Sequence, residues 1–376
     1  MDRATRLLRL RLTDFRGYAA LDVDPGPAAN VFFGPNGAGK TNILEAISFL
    51  APGKGLRGAE TEDVMRHDAD SRAAAWAVYA EGEGADGPLT LAAGAREGQR
   101  RETRLDGSPA TRAALARSFP MIALQPEEDR LFAGPRSERL KFLDKLIAAS
   151  HPGHGEALLA YDKLRSRRQR LLDEGRADPA WLDALEGDMA GHGVAIAASR
   201  LDALARLQAE IDAAPESAFP KAELALEGET EGDLARGLLA GEAEDALKDR
   251  LFDGRRRDGA SGRTLSKGPH RTDLTARHRA KDRPAGECST GEQKALVVRL
   301  ALSHAAVLER TLGSVPLLLL DEACAHLDAD RRAGLAGALS DLGAQSYLTG
   351  VERGLFDAFG GETRFFSVAS ATVKAA

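Results

Sequence analysis

The chain has 376 residues, of which 43% are hydrophobic and 29% are charged. This composition is typical of a globular protein of roughly two to three domains, and it excludes a wholly disordered or collagen-like chain. The 51 Lys and Arg against 57 Asp and Glu give a net charge of −6, which excludes a uniformly basic coat but leaves room for local basic patches.

Two features point to a cytoplasmic protein. The only cysteines are Cys288 and Cys324, which indicates neither a disulfide framework nor a zinc site. The longest aliphatic run, residues 317–320, is far shorter than the ~20 residues that span a bilayer.

The N-terminal elements are arranged as a phosphate site requires. Residues 8–12 alternate leucine with arginine, which predicts a half-buried strand. A second apolar run, residues 31–33, leads into a glycine-rich loop, and the apolar residues at 43, 44, 47 and 50 then share one helical face. The loop, residues 34–41, reads GPNGAGKT and fits the pattern G-x-x-x-x-G-K-[ST], in which backbone N–H groups surround phosphates. The candidate phosphate ligands are Gly34, Pro35, Asn36, Gly37, Ala38, Gly39, Lys40 and Thr41.

The middle of the chain changes from strand to helix. Residues 60–120 favour strands with a turn at 82–87, and 139–149 favour a helix. From residue 151 the apolar spacing is helical, with a break at 174–179. We expect an antiparallel hairpin whose first arm, about 19 residues, is roughly 28 Å long. A small helical domain and a coiled coil both fit this pattern.

Two later segments complete a nucleotide site. The apolar run 316–320 predicts a buried parallel strand that ends in Asp321 and Glu322, at the sheet edge where open α/β sheets bind ligands. Asp321 would hold Mg²⁺ through water, and Glu322 would orient or deprotonate the attacking water. Upstream, Ser289 and Glu292 have capping-box spacing, so a helix begins there with its positive end free for a phosphate.

The order of these elements resembles an ABC-type ATPase head, and residues 325–328 resemble its D-loop. In such heads the signature helix binds the γ-phosphate of ATP held by a second subunit. The two Walker elements are further apart here than in transporters and closer than in SMC proteins. Local strings are similar to the RecF family of recombination-repair proteins: 12–18 (LTDFRGY), 30–45, a middle block at 126–144, 268–274 (GPHRTDL) and 321–328 (DEACAHLD).

The resemblance implies an α/β fold, an ABC-type ATPase head with mixed sheets flanked by helices and an inserted helical-hairpin second domain. Residues 1–150 would form the N-terminal part of the head with an antiparallel β lobe, 151–250 the inserted helical arm, and 251–376 the C-terminal part. It implies ATP binding by residues 34–42, which adds Asn42, with Lys40 and Glu322 catalytic and Thr41 and Asp321 on Mg²⁺. The other nucleotide-binding residues that it implies are Arg16, Gln125, Ser289, Gly291, Gln293 and Asp328.

Departures from the pattern concern hydrolysis. Cys288 stands where many signatures have leucine, and Glu292 replaces the second residue of a G-G-Q or G-Q-Q string. Thr349 is the nearest polar residue to the position where transporters carry a switch histidine. We therefore expect a weak, DNA-stimulated ATPase in which ATP acts mainly as a dimerisation timer.

Two basic clusters are candidates for DNA contacts. Residues 163–170 carry five Lys and Arg, and 255–283 carry ten against three acidic residues, although each also fits an ordinary solvated face. The resemblance implies an ATP-dependent homodimer that binds duplex DNA near single-strand gaps and, with RecR and RecO, helps to load RecA in repair, replication and the SOS response.

Three other classes of protein are alternatives to this interpretation. A nuclease of the overcoming-lysogenisation type needs a further acidic domain, for which the residues after 328 leave no room. A transport-type head needs a membrane partner and closely spaced Walker elements. A P-loop metabolic kinase would lack the segment 289–293.

Overall fold

A computed structural model describes residues 4–67, 72–175 and 178–376. The strands are β1 Arg6–Phe15, β2 Tyr18–Val23, β3 Ala29–Phe33, β4 Ala75–Gly84, β5 Gly87–Arg96, β6 Glu102–Leu105, β7 Ser108–Pro109, β8 Met121–Leu124, β9 Ala222–Glu227, β10 Asp273–His278, β11 Arg283–Pro284, β12 Leu317–Leu320, β13 Ser346–Gly350, β14 Arg364–Ala369 and β15 Thr372–Ala375. The helices are α1 Lys40–Ser48, α2 Arg112–Ser118, α3 Arg136–Ser150, α4 Pro152–Glu174, α5 Pro179–Ala213, α6 Glu229–Ala235, α7 Ala240–Ser261, α8 Thr290–Leu312 and α9 Ala329–Leu342.

The chain forms two compact units. The first comprises Met1–Asp129, Ala214–Pro220 and Ser289–Ala376, and the second comprises Arg130–Ala213 and Lys221–Cys288. Most of the predicted helical arm, 151–250, lies in the second unit.

An antiparallel sheet of the first unit has the strand order β2-β1-β4-β5-β6-β7. In β1 the prediction of a half-buried strand is confirmed, but Leu8 is 52% exposed whereas Leu7, Leu10 and Leu12 are buried. The reason is a register shift between Leu7 and Arg9 in the pairing with β4. Such a bulge changes which residues face the core.

A second sheet of the first unit carries the phosphate loop. Its order is β15-β14-β3-β13-β12-β8, and every neighbouring pair is parallel except β14 with β15. The predicted strands at 31–33 and 316–320 correspond to β3 and β12. Because parallel strands end at the same edge, the loop after β3, the acidic pair after β12 and Thr349 in β13 meet there.

The core of the first unit joins these sheets to α1. Phe15, Phe49 and Trp76 form a mutually edge-on aromatic cluster, with ring centroids 5.2–5.7 Å apart. The buried Gln345 side chain links the sheets, because it donates to Gly26 O at 2.6 Å and accepts the Leu7 N–H at 2.7 Å. These contacts hold the strand that enters the phosphate loop.

The second unit is a packed helical domain with a small sheet, β11-β10-β9. Helix α4 has 23 residues, so it is longer than the predicted first arm, and α5 has 35 residues. Within the predicted break, residues 176–177 lie outside the described part. Helices α4, α5 and α7 share a core that includes Tyr161, Met189 and Leu247. This third helix favours the helical-domain interpretation over a coiled coil.

None of the helices in the described ranges combines the length and apolarity needed to cross a membrane.

Candidate functional site

The phosphate loop depends on glycines in the first unit. Gly34, Gly37 and Gly39 have φ values of +152°, +77° and +107°, in the region that favours glycine. At Gly34 a Cβ would stand 2.1 Å from the Val368 carbonyl oxygen of β14. The loop therefore keeps its shape only with glycine at this position.

Lys40, the first residue of α1, lies inside the loop. Its Nζ donates to the carbonyl oxygens of Gly34 at 2.6 Å and Pro35 at 2.9 Å. Burial lowers the pKa of Lys40, while the nearby charges of Glu322 and Asp321 oppose that shift. The ammonium is thus positioned to neutralise phosphate oxygens held by the loop.

Asp321 connects the loop to the opposite side of the site. Its Oδ1 accepts hydrogen bonds from Thr41 Oγ1 at 3.1 Å and from Thr349 Oγ1 at 2.6 Å. Burial raises the pKa of this carboxyl, and the two hydroxyls oppose the shift. The structure therefore brings Thr41 and Asp321, the two predicted Mg²⁺ ligands, into direct contact.

The donors at this place fit Mg²⁺, which prefers oxygen ligands and keeps waters and substrate phosphates in its shell. Thr41 and Asp321 offer a hydroxyl and a carboxylate oxygen. Among residues 4–67, 72–175 and 178–376, no group of three or more His, Cys, Asp or Glu side chains could hold a metal by itself.

Glu322 has a left-handed backbone, with φ of +52°. Its N–H donates to Thr349 Oγ1 at 2.9 Å, and its carbonyl oxygen accepts from Lys294 Nζ at 2.9 Å. A non-glycine residue held at positive φ by two such contacts is typical of a functional position.

Gln125 follows β8 directly. In the parallel register Leu124 is opposite Leu320, and the Asp321 N–H donates to Leu124 O at 3.0 Å. Gln125 therefore enters the site edge beside Asp321. The nucleotide-sensing role of Gln125 stays a prediction.

Arg16 lies at the turn between β1 and β2, with φ of +53°. Its guanidinium makes two hydrogen bonds, of 2.7 and 2.9 Å, to the buried carboxylate of Glu45 on α1, and a third to Asp63 O. The structure thus ties Arg16 to the helix that begins at Lys40.

The predicted signature segment begins α8 at the exposed Ser289. The Glu292 carboxylate accepts the Ser289 N–H at 3.0 Å, as the capping-box spacing predicts. Gly291 lies near Arg331, whose guanidinium nitrogen would stand 3.1 Å from a Cβ at position 291. Gln293 is buried, being only 3% exposed, so its side chain faces the interior while Ser289 faces outward.

Asp328 begins α9. Its Oδ1 accepts the Arg331 N–H at 2.8 Å, and the carboxylate remains largely exposed. Asp328 therefore acts as a helix cap in the described structure, and nucleotide contact by it stays a prediction. Asn42, in the first turn of α1, accepts a long hydrogen bond of 3.3 Å from Arg57.

Sequence reasoning missed Lys294 and Asp129. Lys294 is buried on α8, and its Nζ contacts both Asp129 Oδ2 and Glu322 O at 2.9 Å. A single side chain thereby joins the helix of the signature segment to the segment after β8 and to the residue after Asp321. The available signal was a lysine within the apolar pattern of α8, which a buried partner must neutralise.

The two basic clusters are only partly available for DNA. Arg168 is fully buried and bonds Glu186 at 2.7 Å and Asp258 at 2.8 Å. Arg255 likewise pairs with Glu186 and Asp183. Arg168 and Arg255 are therefore not free to contact DNA, because these helix faces pack together within the second unit.

Comparison with known proteins decides the family. The sequence profile of the RecF/RecN/SMC N terminal domain matches residues 6–372. The chain is 44% identical to the DNA replication and repair protein RecF of Mesorhizobium japonicum, over 99% of this chain and 98% of that protein. The chain belongs to the RecF family. RecF of Caulobacter sp. is 46% identical over 95% of this chain and 94% of that protein.

Solved structures agree on the fold. A RecF structure described as the recombination mediator protein RecF-ATPrS in the RecFOR pathway has a TM-score of 0.86 and 23% identity, and covers 100% of this chain and 99% of that chain. The Smc head domain of Pyrococcus furiosus bound to ScpA has a TM-score of 0.56 and 16% identity, covering 99% and 96%. The predicted fold class, an ABC-type head of the RecF and SMC kind, is confirmed.

Proposed function

We propose that this RecF family chain is an ATP-switched, DNA-binding protein of recombinational repair and replication. The observation that carries the proposal is the Asp321 carboxylate, which joins Thr41 of the phosphate loop to Thr349 of β13. The name that the curated relatives share, DNA replication and repair protein RecF, supports it.

The residues of the loop divide the work of binding ATP. The N–H groups at the start of α1 and the Lys40 ammonium hold the phosphates, and Thr41 and Asp321 would hold Mg²⁺. When bound by these residues, Mg²⁺ would offset the negative charge of the phosphates. Glu322, fixed after Asp321, orients or deprotonates the attacking water.

ATP serves mainly to join two copies of the chain. The exposed Ser289 at the beginning of α8 offers a helix N-terminus to the γ-phosphate held by the partner copy, with Gly291 and Asp328 beside that surface. Thr349 cannot act as an imidazole does, because a hydroxyl does not titrate near neutral pH. Hydrolysis is therefore weak, DNA-stimulated and used to end the dimeric state.

We infer the DNA substrate and the protein partners by analogy with the family. A relative of this fold is described as a recombination mediator in the RecFOR pathway. By extension, the dimer grips duplex DNA next to a single-strand gap and, with RecR and RecO, helps RecA to load there.

Sedimentation velocity tests this proposal directly. The Glu322→Gln variant, which we expect to bind ATP but to hydrolyse it slowly, is run with and without Mg-ATP and then with gapped duplex DNA. We expect dimers only with Mg-ATP, and retention of DNA by those dimers. Lys40→Ala should abolish both effects, whereas Lys54→Ala, at an exposed lysine of the same unit, should leave them intact. A monomer under every condition would overturn the proposal.

A further inference from the structure

The turn at residues 268–271, part of the string GPHRTDL, is rigidly held within the second unit. Pro269 O accepts from the buried Arg200 at 2.6 Å, and Arg271 N–H closes the turn on Gly268 O at 2.8 Å. At Gly268 a Cβ would stand 2.7 Å from the Tyr161 hydroxyl. The turn therefore fixes the backbone of Arg271 while its side chain is exposed.

A second guanidinium is placed against this turn. Arg136, the first residue of α3, donates from Nη1 to Arg271 O at 2.5 Å. Burial lowers the pKa of Arg136, the charge of Arg271 adds to that shift, and the charge of Asp273 opposes it. Two like charges are thus held next to each other by the backbone rather than by a carboxylate.

The nearby carboxylates are already committed. Asp273 accepts two hydrogen bonds from Arg139, at 2.6 and 2.7 Å. Asp162 pairs with Arg165 at 3.0 Å. Within the described ranges, neither Arg136 nor Arg271 has an ion pair with an acidic side chain.

His270, the residue between Pro269 and Arg271 in this turn, does not supply a negative charge to offset the two guanidiniums. Its Nδ1 lies 2.9 Å from the Tyr161 hydroxyl, and burial, with the charges of Arg165, Arg271 and Arg136, lowers its pKa to about 3. The imidazole is neutral at physiological pH. The charges of three guanidiniums therefore act on an uncharged, partly buried ring.

We propose that Arg136 and Arg271 form a binding site for a backbone phosphate of duplex DNA, with Arg165 as an outer cation. Planar guanidiniums with free N–H edges match phosphate oxygens, and a phosphate between them would relieve their mutual repulsion. The inference rests on the proposed DNA-binding function and gives the family string GPHRTDL a chemical role. It does not involve the ATP site.

The test compares two double variants that remove the same charge. Arg136→Gln with Arg271→Gln is set against Arg256→Gln with Arg257→Gln, whose exposed side chains lie on α7 in the same basic stretch. Duplex affinity is measured from about 50 to 200 mM salt. For the first pair we expect a roughly 10- to 100-fold loss at low salt and a slope of log K against log[salt] shallower by about 0.9, since the one phosphate contact that is lost contributes about 0.9.

The control pair should keep the slope of the parent protein, and Mg-ATP affinity should be unchanged in both pairs. Arg136→Lys with Arg271→Lys should keep the slope, because charge governs it. If the glutamine pair does not fold, Arg271→Gln alone should weaken duplex binding and reduce the slope by part of about 0.9, because Arg136 still faces the same phosphate.

Equal losses in both glutamine pairs, or an unchanged slope in the first, overturn this site while leaving the proposed function in place. A loss of ATP or inorganic phosphate binding without a loss of duplex binding also overturns it, because the phosphate would then be a free one. If the parent protein binds no duplex DNA at any salt, both this inference and the proposed function fail.

Discussion

Thr349 Oγ1 lies 2.6 Å from Asp321 Oδ1 and donates a hydrogen bond to it. The same hydroxyl oxygen accepts the N–H of Glu322 at 2.9 Å. One side chain of β13 thus positions the candidate magnesium ligand and the backbone of the candidate catalytic base. Thr349 stands near the position where transporter heads carry a switch histidine, and its hydroxyl contacts both Asp321 and Glu322.

We expect Thr349→Val to lower kcat for ATP hydrolysis by roughly 10- to 100-fold, because a misplaced catalytic group costs rates of that order. Nucleotide binding, measured without turnover, should change by less than about threefold, since Lys40 and the loop are untouched. Thr349→Ser is the matched control and should restore most of kcat. Equal loss of binding and turnover would show that Thr349 has only a structural role.

As pH falls, Mg-ATP binding should weaken at a higher pH than it would if Asp321 had the pKa of an ordinary aspartate. Burial raises the pKa of Asp321, and the Thr349 and Thr41 hydroxyls oppose that shift. The ionised form, which Mg²⁺ requires, is therefore lost as pH falls through a pKa above the usual range. Removing one opposing hydroxyl in Thr349→Val should move this acid limb to still higher pH. An acid limb at the same pH in both proteins would contradict the assignment.

Lys294→Met should destabilise the first unit by about 3 kcal/mol, because it leaves the partly buried Asp129 without its partner. Asp129→Asn should restore part of that loss in the double variant, since the unpaired charge is then gone. Urea unfolding followed by Trp76 fluorescence in a Trp181→Phe background reports on this unit. Additive single effects would exclude an interaction between Lys294 and Asp129.

Arg168→Met should destabilise the second unit by about 3–5 kcal/mol, because Glu186 and Asp258 remain buried without their shared cation. Arg170→Met, at an exposed arginine on the same helix, should change stability by less than about 0.5 kcal/mol. Hydrogen exchange in α4, α5 and α7 measures the difference. Similar protection in both variants would contradict the buried ion pairs.

Lowering the pH should weaken the buried ion pairing of Arg168 with Asp258. Burial raises the pKa of Asp258, but the Ser266 hydroxyl and Arg168 outweigh it, so the net shift is downward. A lowered carboxyl pKa stabilises the fold above the unfolded value of about 3.9, and this contribution is lost as pH falls through the folded pKa. The protection of α7 should therefore decline below about pH 4 in the parent protein and less steeply in Arg168→Met.

Local pattern was enough to predict the elements that hold the nucleotide site. The loop at 34–41, the strand before Asp321 and the helix after Ser289 each have a distinct local signal, in glycine spacing, apolar continuity or capping residues. Leu8 was placed wrongly because a bulge depends on the pairing partner, which alternation within one strand does not reveal.

The contacts that join these elements could not be predicted from one sequence. Lys294 meets Asp129 across 165 positions, and Thr349 meets Asp321 across 28. Arg168 lies on the face of α4 that also carries Tyr161 and Leu164. Its charge partners, Glu186 and Asp258, come from α5 and α7. Long-range pairing of this kind is set by the assembled fold and leaves little local signature.

The position of β3 has a consequence for how the chain is made. Its two neighbours in the sheet, β13 and β14, lie more than 300 residues later in sequence, and the Ala371 N–H donates to Ala38 O inside the phosphate loop at 3.0 Å. Translation adds roughly 5–20 residues per second. Both edges of the newly made β3 therefore remain unpaired for some tens of seconds, until β13 and β14 have been synthesised. A nascent chain therefore cannot hold ATP as the finished protein would, and its exposed strand edges are left for ribosome-associated chaperones to cover.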